Sequence, residues 1–188
     1  WETVNGTSYY FVENNALKGI HKVPGLNDES NEYFYQFNET TGACEGKVTG
    51  LIEVDGAWYY AINGVAKSGW WNLTDADGNN SYYYFDPETF HGLNGENSSF
   101  FPNVTYQFEN GKLVKGAWLA TDHGKRYYYG PGFVQGKWYT IEGNLYFFNQ
   151  DGYRYEGLRY VKLRDNHDDP IYWYDFGEDG ICHGVYQH

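Results

Sequence analysis

The stretch from Asp55 to Trp71, DGAWYYAINGVAKSGWW, sets Trp58, Tyr59 and Tyr60 in a row, passes an Asn63-Gly64 pair and closes on Trp70 and Trp71. Ring faces attract soft cations, and two or three together desolvate a quaternary ammonium cheaply. Rings of this type also accept the CH faces of sugars, whose hydroxyls bond to polar neighbours. On a strand, Trp58 and Tyr60 share one face while Tyr59 takes the other. Trp70 and Trp71 are adjacent, fall on opposite faces and cannot both enter one core, so the pair is the first place to look for a ligand. Covalent chemistry has far less material. There is no G-x-S-x-G elbow, no H-E-x-x-H and no phosphate loop. A carboxylate pair would need a shared pocket that scattered loop ends do not offer. No enzyme is expected, and no cofactor or metal.

Other chemical candidates read mainly as structure. Asp75, Asp77 and Asn79 alternate as in a calcium loop, but the downstream bidentate Glu is missing and a turn is already required there. The cluster DNHDDP at 165–170 reads as a solvated loop. Cys44 and Cys182 each lie two residues before a recurring glycine. In a linear stack they would be too far apart for a disulfide, so two buried free thiols are expected. Asn5, Asn38, Asn72, Asn79, Asn97 and Asn103 open Asn-x-Ser/Thr sequons, which fit glycan attachment in a eukaryotic secreted chain and turn chemistry in a bacterial one.

The elements that must hold the rings are strands. Among 188 residues there are 21 Tyr, 12 Phe, 7 Trp and 24 Gly, with no Met. Few long aliphatic residues leave little material for amphipathic helices, whereas aromatics favour strands. The net charge of −12 opposes binding to a phosphate backbone, so nucleic acid is excluded as a partner. No apolar run is long enough to span a bilayer as a helix, and no membrane insertion is expected. The chain shows neither an initiator Met nor a leader, which reads as a piece of a longer surface or secreted protein.

Self-similarity organises the whole chain. A glycine recurs about ten residues after an aromatic pair, at Gly19, Gly46, Gly69, Gly92, Gly116, Gly136, Gly157 and Gly184. The period of 20 to 27 residues predicts about eight repeats in a single array over 1–188. Asn63-Gly64, Asn110-Gly111, Asp151-Gly152 and Asp179-Gly180 supply the turn of each hairpin. A second set, Gly6, Gly56, Gly78, Gly124 and Gly143, links one hairpin to the next. A lone hairpin of this size is marginal in water, so each must bury its rings against neighbours. The predicted fold is all-β, a superhelical β-hairpin solenoid. The polar segments 21–32, 93–103 and 163–171 are expected to loop out of it.

From Gly56 to Trp70 the chain reads G-x-W-Y-Y-x-x-x-G-x-x-x-x-G-W, which resembles the cell-wall-binding repeat family of choline-binding and glucan-binding modules, related to the carbohydrate-binding repeats of clostridial toxins. The resemblance implies a noncatalytic binding module, secreted or at the cell surface, serving a domain elsewhere in a longer chain. It implies a cell-wall polymer or glycan as partner, with choline held in aromatic cages between hairpins; the alternative is an adhesin that binds a host protein. The cage pattern maps onto Trp58 and Tyr60, with Trp70 or Trp71 and then Tyr82 or Tyr83. A second match joins Trp118 to Tyr127 or Tyr128, and a third joins Trp138 to Tyr146 or Phe147. Elsewhere Ile20, Lys47, Leu93, Leu158 and Val185 follow the glycine, so two or three working sites are expected.

Overall fold

The structure is a computed structural model that describes residues 1–74, 78–162 and 170–186. All regular structure among them is β-strand, paired antiparallel through hairpins, as a β-hairpin solenoid requires. Two compact units are present, Trp1–Gly95 with Phe108–Leu113 and Glu96–Gln107 with Val114–His188.

In the first unit the sheets are built on tight two-residue turns. Asn5-Gly6, Asp55-Gly56 and Asn63-Gly64 each place two successive residues at positive φ, between 49° and 79°. That is the turn whose twist matches the flanking strands. Gly50–Val54, Ala57–Ile62 and Val65–Lys67 thereby form a three-stranded meander, closed by Val54↔Ala57 at one end and Ile62↔Val65 at the other. The glycine turns expected only to link hairpins are themselves hairpin turns. The strand after an anchoring glycine is the longer partner of the next aromatic strand.

Hairpins are tied to their predecessors by backbone bonds at the tips. Gly64 N donates to Val48 O at 2.7 Å while Gly64 O accepts from Phe34 N at 2.9 Å. Gly111 repeats the arrangement between Leu93 O and Tyr84 N. A Cβ on Gly64 would stand 3.0 Å from both Phe34 O and the Tyr33 Cβ, so this approach needs glycine for space as well as for its φ of +78°.

Two expected loops are strands. Residues 21–32 fall within the hairpin Gly19–Gly25 and Asp28–Phe37, where Val23 opposes Tyr33 and is buried. Residues 93–103 contain the strand Gly95–Phe101. Their polar side chains misled the reading because one sheet face can remain wet, as the exposed Lys22–Glu32 ion pair shows. Asp75, Asp77 and 163–169 lie outside the described residues.

The core has its own signature, a Phe two residues after a Tyr. Phe37 and Phe85 in the first unit and Phe148 and Phe176 in the second are fully buried, and each ends a Tyr-x-Phe triplet. Cys44 pairs opposite Phe37 and Cys182 opposite Phe176, both as free, half-buried thiols. Burial pushes both thiols above the ordinary cysteine range.

Candidate functional site

The aromatic sites follow from register. In the second unit Ala117–Thr121 pairs with Gly124–Tyr128, which sets Trp118 directly opposite Tyr127, ring centroids 5.1 Å apart. Alternation along Asn144–Phe148 turns Tyr146 and Phe148 to one side. There they meet the same indole at 5.2 and 5.8 Å. Trp138 repeats this one hairpin later. It opposes Phe147 at 5.2 Å and meets Tyr174 and Phe176 at 5.0 and 5.6 Å. Its Nε1 donates to Lys162 O at 2.7 Å, which fixes the indole plane.

The first unit carries two relatives of this box. Trp70 opposes Tyr84 at 5.1 Å, stands perpendicular to Tyr82 at 6.3 Å and packs on Phe108 at 5.8 Å. Trp1 meets Tyr10, Tyr35 and Phe37 at 5.3, 5.1 and 5.8 Å, and its Nε1 donates to Pro24 O. All four tryptophans are half-buried.

The structure groups the sequence candidates selectively. Tyr60 lies against Trp71 at 4.9 Å and stacks near Phe85, on which Tyr83 also stacks within 4° of parallel. Trp70 and Tyr82 belong to a different cluster. Trp58 is half-buried opposite Glu53 and contacts neither group's rings among the described residues. Trp70 and Trp71 do fall on opposite faces, each half-buried and each against rings, Trp70 on Tyr84 and Trp71 on Tyr60. A sheet within a stack has two packed faces. Trp118 takes Tyr127, while Tyr128 turns to Phe101 and Phe133. Trp138 takes Phe147, while Tyr146 goes to Trp118.

Two open cavities adjoin the boxes. One, of about 290 Å³, is lined by Trp1, Tyr10, Pro24 and Glu29. The other, of about 300 Å³, has walls that include Phe147, Tyr155 and Tyr160 with the amides of Asn149 and Gln150. Burial raises the phenols of Tyr127, Tyr146 and Tyr174, so these rings present neutral π faces at physiological pH. Some faces are already taken by the protein's own cations. The Arg154 guanidinium lies 5.5 Å from the Trp118 ring, and Lys47 Nζ lies 3.2 Å from that of Tyr33.

Choline-binding proteins are among the similar solved structures. CbpF, solved in complex with ipratropium, is 20% identical with a TM-score of 0.38, covering 98% of this chain and 58% of that one. This chain thus spans less than two thirds of that protein. The modular autolysin LytC from Streptococcus pneumoniae, in complex with a synthetic peptidoglycan ligand, is 14% identical with a TM-score of 0.33, covering 93% of this chain and 41% of LytC. Alternansucrase in complex with isomaltononaose is 18% identical with a TM-score of 0.29, covering 96% of this chain and 16% of the enzyme. No family model and no curated protein matches the sequence.

Sequence reasoning missed Trp1, Tyr10, Tyr155, Tyr160 and the internal cations. Trp1 precedes the first anchoring glycine and so fell outside the repeat pattern. The Tyr-x-Phe triplets were the available signal for the floor of each box.

Proposed function

We propose that the chain is a noncatalytic binding module of the cell surface or cell wall that recognises carbohydrate or a choline-bearing polymer through aromatic sites between hairpins. The observation that carries this reading is the recurrence of one Trp-centred box within each unit, around Trp1 and Trp70 in the first and at the successive hairpins of Trp118 and Trp138 in the second. Its Trp meets its flanking Tyr or Phe rings at interplanar angles of 56° to 74° around Trp1, Trp118 and Trp138. Angled rings offer more than one face to a single ligand, and half-burial leaves an edge in water. The cavity at Trp1 adds the Glu29 carboxylate and suits a quaternary ammonium. The cavity at Phe147 adds carboxamides and suits a neutral sugar. The chain's negative charge draws cationic polymers toward it. Weak sites repeated along one array, and a secreted or cell-surface location, match a repeated polymer, because tethered sites gain avidity without a strong individual contact.

Titrating Trp fluorescence with choline and with a glucan oligosaccharide tests the reading. A saturable shift at millimolar ligand is expected, together with retention on cell-wall material or glucan. Trp70→Leu with Trp138→Leu should reduce retention at least tenfold, a loss of about 1.4 kcal/mol. Full retention by a folded double variant overturns the proposal.

One observation favours a second reading, a protein-binding adhesin. Tyr160 and Trp173 form an exposed cross-strand pair, 59% and 52% accessible, with exposed Leu158, Ile171 and Tyr186 nearby in sequence and sheet. Aromatic surfaces of this kind suit protein interfaces. Silence toward choline and sugars, with loss of host-protein capture on Trp173→Ser, would select it.

A further inference from the structure

Lys47 follows Gly46 directly, the position that holds Trp70 after Gly69. Its strand Cys44–Lys47 pairs with Asp28–Phe37 so that Lys47 stands opposite Tyr35, with Tyr33 two residues away on the same face. The side chain reaches diagonally across the pair. Its Nζ comes to rest 3.2 Å from the Tyr33 centroid and 5.9 Å from that of Tyr35. The two rings stand 6.5 Å apart at 80°. Although the chain carries an excess of carboxylates, Lys47 makes no salt bridge among the described residues. Its charge is met by ring faces instead.

Neighbouring groups hold this arrangement in place. The Tyr33 hydroxyl donates to Asp28 Oδ2 at 2.8 Å. A phenol bonded to a carboxylate has a more electron-rich ring, which strengthens its hold on a cation. From the next hairpin, a Cβ on Gly64 would meet the Tyr33 Cβ at 3.0 Å and the Lys47 Cβ at 3.3 Å, so that tip clamps the ring and the lysine stem together. The second unit shows the same device with arginine. The Arg126 guanidinium lies 4.5 Å from the Phe133 centroid and 4.3 Å from that of Tyr153.

We propose that Lys47 is the internal occupant of a cation site formed by Tyr33 and Tyr35, a tethered competitor that closes this register to external alkylammonium ions. Lys47 is then a specificity-determining residue, because it sets how many repeats bind ligand. The inference deepens the ligand reading above and rests on it only for its biological use, since the occupied site is a property of this chain by itself.

The test uses the full chain and two probes. In the unmodified protein the ring current of Tyr33 should move the Lys47 ε-methylene protons upfield of the other lysines; ordinary shifts would overturn the proposal. Lys47→Ala should then gain one weak site for tetramethylammonium, seen as saturable shifts of the Tyr33 ring protons at millimolar concentration. Lys47→Met fills the same space without charge and should gain none. A Tyr33 ring that stays unmoved by the ion in folded Lys47→Ala, or that responds equally in Lys47→Met, overturns it. Should Lys47→Ala not fold, the methylene shifts in the unmodified protein decide. Responses at the tryptophans report on the broader function, so either reading can fail alone.

Discussion

The boxes around Trp118 and Trp138 are built alike and dressed differently. Each Trp opposes an aromatic on its own hairpin at 5.1 or 5.2 Å and lies above a Tyr-x-Phe pair from the next, with the Phe ring within 27° of parallel. The Trp118 ring has Arg154 beside it, a guanidinium whose side chain is only 7% exposed and bonds to Glu156 and to the carbonyls of Glu178 and Asp179. Trp138 has no cation on its ring among the described residues, and its indole N–H is anchored to Lys162 O instead. The same register therefore yields one capped box and one open one. Repeating the aromatic frame does not repeat the site.

This comparison can be broken at its floor. Phe148→Ala and Phe176→Ala remove fully buried rings from matching positions, and each should cost about 3–5 kcal/mol in urea denaturation. Similar losses would show the frames to be equivalent, and a loss under about 1 kcal/mol at either would show that its Phe is not core.

A smaller effect separates the two boxes. Arg154→Ala removes charge-assisted hydrogen bonds and should cost about 2 kcal/mol. It also uncovers the Trp118 face, so the variant should gain accessibility to a cationic fluorescence quencher, whereas the Trp138→Leu background leaves that gain unchanged. No gain in quenching would mean that Arg154 does not shield the ring.

The smallest effect concerns the internal cation site of the first unit. Hydrogen bonds from Ser30, Asn31 and Tyr33 lower the Asp28 carboxyl to about 2. A depressed carboxyl stabilises the fold above its unfolded value near 3.8, and that contribution fades as pH falls through about 2. The Tyr33 ring resonances should therefore hold steady from neutral pH to about 4 and move below it. Movement centred at ordinary carboxylate values, or its persistence in Asp28→Asn, would place the cause elsewhere.

Much of the architecture was legible because its causes are local. Asn63-Gly64 and Asp55-Gly56 announce their turns through the positive φ that those residues tolerate, and the recurring glycines set the period. Segments 21–32 and 93–103 were misread because a strand with one wet face carries few apolar residues, and only its partner reveals it. Cage membership was half legible. Trp118 could have faced Tyr127 or Tyr128, and a shift of one residue in register would have exchanged them.

By itself the sequence determined the all-β class, the tight turns and the supply of rings at each repeat, since these depend on neighbours a few residues apart. Tertiary structure alone decided which rings meet and which faces stay open. Tyr146 crosses to Trp118, and Arg154 and Lys47 lay their charges on rings set by another strand or hairpin. Those choices depend on strand register and on how one hairpin docks upon the last, contacts that bring together residues 14 to 36 positions apart and leave no mark in any single repeat.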